Sequence, residues 1–308
     1  MPISDWFKAR EDRRYTVTSG SPTDVLPDGV WIKCPSCKHT LYQGDLSRSL
    51  MVCPHCEHHL PMDASERIAS LADDGTFAET DATLASVDPL RFTAAKPYPA
   101  SLEHARESTG LTEAVVTGRV LVGGHPAVLG AMDFRFIGAS MGSAVGEKIA
   151  RAFAIGTAEE RAVVLAIASG GARMQEGMYS LMQMAKTAAA ARAHADAGLP
   201  YVAILTNPTY GGVTASFATL ADVILAEPGA MVGFAGPSLV EQTTRQGTPK
   251  GFQTAESLVE HGMIDAVVPR SELTVTVELL LDYLMSPGVP DAASGAVCAV
   301  PASAGEAS

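Results

Sequence analysis

Long apolar runs are missing from this 308-residue chain. No stretch reaches the roughly 18 consecutive apolar residues that a membrane-crossing helix requires, and the first segment, "MPISDWFKAREDRRYTVTSG", lacks the charged-then-apolar order of a secretory leader. The expectation is a cytoplasmic protein with no membrane partner. Cysteine is scarce as well: there are five, four of them in two CxxC pairs, with Cys298 apart in "DAASGAVCAVPASAGEAS". A disulfide framework is therefore excluded. Basic residues are outnumbered, 22 Lys and Arg against 34 Asp and Glu for a net charge of −12, so the chain as a whole repels polyanions and any anionic ligand must be held locally. Several catalytic signatures are also absent. There is no GxSxG, HExxH or phosphate-binding P-loop sequence, and the glycines miss the GxGxxG spacing. Seryl hydrolysis, zinc proteolysis, ATP binding and dinucleotide binding all lose support.

What is present begins with "CPSCKHTLYQGDLSRSLMVCPHC". Cys34, Cys37, Cys53 and Cys56 have the spacing in which two knuckles offer four thiolates to a structural zinc ion, leaving no position open for chemistry. His39, His55, His58 and His59 lie close by and are read as solvated or supporting residues rather than ligands. From Trp31 to Met62 the charges are Lys33, Lys38 and Arg48 against Asp45 and Glu57, a weak footprint for phosphate contact. Nucleic acid is accordingly disfavoured as a partner. A module this small is folded by its metal and serves as a docking surface or lid.

Four segments are expected: a flexible leader at 1–29, the zinc ribbon at 30–62, a large α/β domain at 63–285 and a flexible tail at 286–308. In the large domain, "SERIASLADDG" reads as a short helix and "AVVTGRVLVGGHPAVLGAMDF" as two paired strands turning at Gly123-Gly124. "GSAVGEKIARAFAIG" reads as a helix with Gly142 and Gly146 at a close packing contact. "RAVVLAIASGG" and "PYVAILTNPTYGG" read as buried strands, separated by a long helix over "ARMQEGMYSLMQMAKTAAAARAHADAG" that ends at Gly198. Such alternation calls for an α/β domain with strands covered on both faces.

Three glycine-bearing turns join a strand to a helix: "ASGGARMQEG", "NPTYGGVTASF" and "FIGASMGSAVGEK". Glycine at such a turn lets main-chain N–H groups converge on one point, and donors of that kind suit an oxyanion or enolate derived from a thioester. The ordered blocks "CPSCKHTLYQGDLSRSLMVCPHCEHHL", "MDFRFIGASMGSAVGEKIARA", "ASGGARMQEG", "SLMQMAKT", "PTYGGVTASFA", "GFAGPSLVEQT" and "GFQTAESLVEHGMIDAVV" closely resemble the beta-subunit family of bacterial acetyl-CoA carboxylase carboxyltransferases, over about Val30 to Val268.

The resemblance implies a ClpP/crotonase-like spiral of ββα units behind the zinc ribbon. It also implies an acyl-CoA site in this chain and a partner alpha subunit of the same fold in an α2β2 assembly. Carboxybiotin would arrive on a separate biotin carboxyl carrier protein loaded by a separate biotin carboxylase, since this chain has neither a biotin-attachment MKM sequence nor an ATP loop. Carried over by motif, Gly170, Gly171 and Ala172 supply amides to the oxyanion, and Gly138 and Ala139 shape the same pocket. Gly211 and Gly212, with Gly233 and Gly236 of "GFAGP", line the channel where acyl-CoA meets biotin. The implied reaction releases carbon dioxide from carboxybiotin in a closed site, passes the methyl proton of acetyl-CoA to the freed biotin nitrogen, and lets the enolate capture the carbon dioxide as malonyl-CoA.

Arg173 has two readings, an ion pair with Glu176 or Glu147, or orientation of the loop or of a CoA phosphate. Lys148 and Arg151 either reach the CoA nucleotide or lie on a solvated face, and Arg245 is a further anion candidate. Met174, Met178, Met182 and Met184 read as packing in an apolar helix face. Ser238, Asn207 and Tyr210 depart from the family pattern, which leaves room for a paralogue acting on another acyl thioester, by carboxyl transfer or decarboxylation. A zinc-ribbon nucleic-acid binder with an idle α/β body is the remaining alternative.

Overall fold

The computed structural model describes residues 31–286; the leader, the tail and Cys298 lie outside the described residues. Strands β1 (Trp31–Lys33) and β2 (Thr40–Tyr42) pair antiparallel and, with the short helix α1 (Gln43–Arg48), build the ribbon. Its apolar centre is small: Cys34, Leu41, Leu46, Met51, Cys53 and Leu60. Helix α2 (Ala64–Leu71) opens the large domain. It is capped by Asp63, whose carboxylate accepts the Glu66 N–H at 2.7 Å, so the helix starts one residue before the expected Ser65 and stops short of Gly75.

The main sheet has eight strands. β3 (Ala78–Thr80), β4 (Val115–Val122) and β5 (His125–Met132) run antiparallel to one another; β6 (Ala162–Ser169), β7 (Tyr201–Tyr210), β8 (Val223–Ala226) and β10 (Ala266–Val267) continue parallel to β5. The β4–β5 hairpin turns where expected, with Gly123 and Gly124 at φ of +56° and +79° and both amides donating to Asp73 at 2.9 and 2.8 Å. All eight residues of β6 are buried, the pattern of a strand covered on both sides.

One cover is the pair α4 (Ser143–Ala158) and α5 (Met178–Asp196). These two helices approach closely because Gly146 carries no side chain; a Cβ there would lie 2.3 Å from Gln183 Oε1. α2 and the last helix, α8 (Leu273–Met285), pack against β4 and β5. Helix α3 (Tyr98–Thr109) lies against the loop after β5. Strand β7 has two halves: Val202–Leu205 pairs with β8, whereas Thr209 and Tyr210 pair with β9 (Val232–Gly233). This change of partner lifts the upper end of β7, and the short helix α6 (Gly211–Thr214), above the plane of the sheet.

The long helix begins at Met178, and residues 174–176 before it form a single 3-10 turn. Gly170, Gly171 and Ala172 therefore belong to a bend that precedes the helix by several residues, and are not its first turn as the sequence suggests. Among the described residues no helix is long and apolar enough to cross a membrane.

Candidate functional site

The two cysteine knuckles are built alike. Lys38 N–H bonds Cys34 O at 3.0 Å and Glu57 N–H bonds Cys53 O at 2.9 Å, and Lys38 and Glu57, each following the second cysteine of its pair, have φ of +65° and +58°. Both knuckles thus fold their two sulfurs inward by the same left-handed step. The four Sγ atoms lie within 4.8 Å of one another, with Cys34–Cys56 and Cys37–Cys53 both at 3.7 Å. Sulfurs around a tetrahedral zinc with bonds of about 2.3 Å are about 3.8 Å apart, so the donor set fits zinc. The His58 N–H, with hydrogen bonds from the other three thiols, brings the Cys56 thiol down to about 6, while the same thiol cluster pushes Cys37 up to about 12, so the fit to zinc rests on the sulfur geometry. No histidine joins the set among the described residues. His39 and His55 stack on each other outside it, ring centres 4.3 Å apart, and His59 is buried.

The ribbon is clamped to the large domain by a charge cluster that sequence reading missed. Glu227, at the end of β8, is 1% exposed. Its carboxylate accepts Arg67 Nη2 at 2.5 Å and Arg270 Nε and Nη2 at 2.7 and 2.5 Å. Arg270 Nη1 continues into the ribbon, donating to Leu50 O and Leu60 O at 2.8 and 3.1 Å. Burial would raise the Glu227 carboxyl, but the two guanidiniums outweigh it and hold the group well below the usual carboxylate range. Beside the cluster, a cavity of about 170 Å³ separates the ribbon residues His58–Met62 from the strand ends Met132, Ala168 and Thr206. The ribbon thus roofs the carboxyl-terminal edge of the sheet one residue before the β6 bend.

The bend itself is zipped to the loop after β5. Gly170 N–H donates to Gly138 O at 2.8 Å, Met141 N–H to Gly171 O at 2.8 Å and Arg173 N–H to Met141 O at 2.9 Å. Ser169 Oγ donates to Ala139 O at 2.7 Å and accepts the Gly171 N–H at 3.0 Å. Ile137, Gly138 and Ala139 achieve this by three consecutive left-handed steps, φ +47°, +61° and +47°, a conformation that a β-branched residue adopts only under constraint. The expected roles of Gly170 and Gly171 are accordingly corrected: their N–H groups are spent inside the chain. Gly138 and Ala139 act through their carbonyls, as braces.

One amide in the bend has no acceptor among the described residues, that of Ala172, and the residue is half-buried. The second turn supplies its counterpart. Gly211 N–H is taken by Phe234 O at 3.0 Å, whereas the Gly212 N–H is unclaimed among the described residues. The two turns touch through their glycines. A Cβ on Gly211 would lie 3.0 Å from Gly171 Cα and 3.9 Å from Ala172 N, and one on Gly171 would lie 3.6 Å from Gly212 N. Two donors unclaimed among the described residues, Ala172 N–H and Gly212 N–H, thus sit on turns that are in contact. Gly233 and Gly236 flank this turn, the first paired with Tyr210 in β9 and the second against the Tyr210 ring.

The cationic candidates fall elsewhere. Arg173 is fully buried, bound bidentately to Glu113 at 2.8 and 2.8 Å, so it has no surface to offer a CoA phosphate. Of the two ion-pair partners expected for it, Glu176 is 3.7 Å away, and Glu147 pairs with Arg151 and Lys186 instead. Lys148, 1% exposed, points inward to Val115 O at 3.3 Å; burial lowers its ammonium, against the pull of Glu79, Glu113 and Asp81. Neither the CoA nucleotide nor a solvated face describes it. Arg151 is the solvated one, bridging Glu147 and Asp81 at 2.7 and 2.6 Å, and Arg245 lies exposed at the end of helix α7 (Pro237–Thr244). Asn207 Oδ1 accepts the Met231 N–H at 3.3 Å; the Ser238 side chain lies outside the described residues.

The methionine run also differs from expectation. Met184 packs against Gly212, but Met174, Met178 and Met182 are 68%, 66% and 58% exposed, with Tyr179 and Leu181 beside them. These side chains face solvent instead of the core packing expected of the run.

Residues 64–268 match the carboxyl transferase domain family and residues 31–56 the acetyl-CoA carboxylase zinc finger domain. Curated proteins named acetyl-coenzyme A carboxylase carboxyl transferase subunit beta align almost end to end. That of a Synechococcus strain is 50% identical, covering 89% of this chain and 90% of the relative. That of Pelotomaculum thermopropionicum is 49% identical, covering 91% and 97%. The chain belongs to this family of carboxyltransferase beta subunits. Among solved structures, transcarboxylase 12S with methylmalonyl-coenzyme A bound has a TM-score of 0.61 at 25% identity, covering 72% of this chain and 42% of that one. A Pseudomonas malonate decarboxylase heterotetramer in complex with malonate has a TM-score of 0.60 at 25% identity, covering 78% and 87%. The crotonase-like α/β fold that the resemblance implies is the fold found, with the zinc-ribbon module at its amino-terminal side, and this beta subunit is a carboxyltransferase component of a multi-subunit enzyme.

Proposed function

We propose that the Ala172 and Gly212 N–H groups hold the thioester oxygen of acetyl-CoA while its methyl carbon takes up a carboxyl group from carboxybiotin, giving malonyl-CoA. The observation that carries this reading is the pair of unclaimed main-chain donors on two turns in contact. Loss of a methyl proton moves negative charge onto the thioester oxygen. Fixed N–H donors stabilise that charge without reorganising, and each is worth about 2.7–4 kcal/mol of barrier.

The carboxylates behind the bend do not compete for the role of base. Glu176 takes the Tyr98 hydroxyl and the Ser143 N–H, both at 2.6 Å, and Glu113 is held by Arg173. Biotin on its carrier supplies both the carboxyl group and, once unloaded, the base. This chain's residues hold the oxygen and exclude water on one side; an alpha subunit seated over Met174, Met178 and Met182 closes the other, in an α2β2 assembly. The zinc contributes a crosslink that keeps the ribbon over the strand ends and takes no part in the chemistry.

The test is reconstitution. The chain purified with its alpha partner should carboxylate free biotin at the expense of malonyl-CoA, and either chain alone should not. A well-folded complex that turns over no malonyl-CoA would overturn the reading. Decarboxylation of a malonyl thioester would pass through the same enolate, so the dependence of turnover on biotin separates the two reactions.

A further inference from the structure

Behind the bend lies a buried polar cluster for which the reaction as described has no use. Arg173 Nη1 donates to Ser86 Oγ and Tyr98 OH, both at 3.1 Å, in addition to Glu113. Nη2 donates to Glu113 and to Ser140 O at 2.8 Å, and Nε to Ser140 Oγ at 3.2 Å. Every guanidinium nitrogen is engaged, and the acceptors come from four separate parts of the chain. Phe136 covers the guanidinium face at 5.7 Å. Gly142 leaves the room required, since a Cβ there would lie 2.4 Å from Glu176 and 3.1 Å from Arg173 Nη1. Burial pushes the Glu113 carboxyl up, and the Arg173 guanidinium more than reverses it, so the pair stays ionised. Buried ion pairs seldom stabilise a fold better than apolar side chains of the same volume would; what this one supplies is fixed geometry.

That geometry bears on one peptide plane. The Gly171–Ala172 peptide is trans, so the Ala172 N–H points opposite to the Gly171 carbonyl. Gly171 O is held by Met141 N–H at 2.8 Å, and Arg173 N–H holds Met141 O at 2.9 Å. The free donor is therefore aimed away from the 138–141 loop for as long as Met141 stays in place. The Arg173 side chain fixes Met141 through its neighbour, by two bonds to Ser140.

We propose that Arg173 is a positioning residue for carboxyl transfer: its guanidinium, locked on Glu113, Ser86, Tyr98 and Ser140, sets the direction of the adjacent Ala172 N–H. The inference rests on the reading that this N–H holds the thioester oxygen. Lysine at this position keeps the charge but cannot reproduce the planar fork that spans Glu113 and Ser140.

The experiment compares the wild-type complex with its alpha partner to complexes carrying Arg173→Lys or Ser140→Ala, with Arg151→Ala as a surface control. In Arg173→Lys, kcat for malonyl-CoA formation should fall about 100-fold, as an ångström-scale misplacement does. KM for acetyl-CoA should stay within about threefold, because the donor acts on charge that develops after binding. Ser140→Ala, which removes one acceptor, should fold normally and lose kcat by about five- to tenfold, and Arg151→Ala should match wild type. Amide hydrogen exchange should quicken in 138–141 and 169–173 while the β6 and β7 core is unchanged. A folded Arg173→Lys or Ser140→Ala complex with wild-type kcat overturns the proposal, as does a loss of activity that follows the fall in folded fraction alone. An inactive wild-type complex would count against the functional reading, and exchange would then decide. Quickening confined to those two segments upholds the positioning role, and unchanged exchange refutes it.

Discussion

Alanine at position 211 would place a methyl group between the two turns that carry the spare donors. The new Cβ would lie 3.0 Å from Gly171 Cα, and neither atom belongs to a flexible side chain. Carbon atoms in contact prefer about 3.5–4.0 Å, so the turns must part by about 0.5–1 Å. Ala172 N–H sits on one turn and Gly212 N–H on the other, so that movement widens the gap between them. Loss of one donor costs about 2.7–4 kcal/mol, a fall of about 100- to 1,000-fold in kcat. Gly211 also has a φ of +63°, and a left-handed alanine adds about 1–2 kcal/mol of backbone strain. Gly198 separates the two effects, since its φ is +72° and nothing lies within 4 Å of a Cβ built there. Gly198→Ala and Gly211→Ala should both lose about 2–8 °C in Tm. Only Gly211→Ala should lose carboxyl transfer, assayed in the complex with the alpha partner by malonyl-CoA-dependent carboxylation of biotin. Equal kcat in the two variants would refute the donor pair.

Three further outcomes follow from the same geometry. Glu227→Gln leaves Arg67 and Arg270 buried without a counter-charge, which should cost about 3–5 kcal/mol in denaturant unfolding. The folded Glu227 carboxyl is held below its ordinary value, so its contribution is complete above the unfolded value of about 4.3 and is lost as pH falls below that; acid titrations of wild type and Glu227→Gln should converge there, and parallel curves would count against the clamp. Chelation should release one zinc per chain and expose 31–62 to proteolysis while the circular dichroism of the large domain persists; full ellipticity and protease resistance without metal would contradict a metal-folded ribbon. Met178→Glu with Met182→Glu, both on the exposed apolar face, should abolish association with the alpha subunit by size-exclusion chromatography without lowering the Tm of the isolated chain, and an intact complex would move the partner surface elsewhere.

The parts of this molecule that can be read from sequence are those whose geometry is set locally. Cysteine spacing places four sulfurs together, Gly123-Gly124 makes a hairpin, and an unbroken apolar run becomes β6. The bend at Ser169 was locatable on the same terms, and Ala172 was among its three expected donors, but which of the three stays free was not legible. Whether a glycine N–H is spare depends on carbonyls such as Gly138 O and Phe234 O, more than 20 residues away in the chain. Charge misleads for the same reason. Lys148 and Arg173 resemble surface cations until Val115 O and Glu113 are brought to them, while Glu227 and Arg270 carried only a faint signal, single charges closing the apolar runs "DVILAE" and "IDAVVPR". Helical spacing of Met178 and Met182 defines an apolar face, but periodicity is blind to whether that face meets this chain's own core or another chain.

That last ambiguity has a mechanistic counterpart. Main-chain donors stabilise an enolate strongly only where water is kept away, because water supplies competing hydrogen bonds and a high dielectric. In this chain the bend is shielded on one side by the 138–141 loop, but Gly170 is exposed and Met174 and Met178 stand in solvent beside it. On the proposed function, the isolated chain would carry its donors in the wrong medium. On the same proposal, an alpha subunit docked on the methionine face would do two things at once: bury apolar surface, which drives association, and dry the donor pair, which raises the value of each N–H. Assembly and catalysis are then coupled without any change in the position of a reacting group. A substitution that loosens the interface should lower kcat before it lowers the affinity for acetyl-CoA, and a KM that rises first would show that the partner builds the binding site rather than drying it.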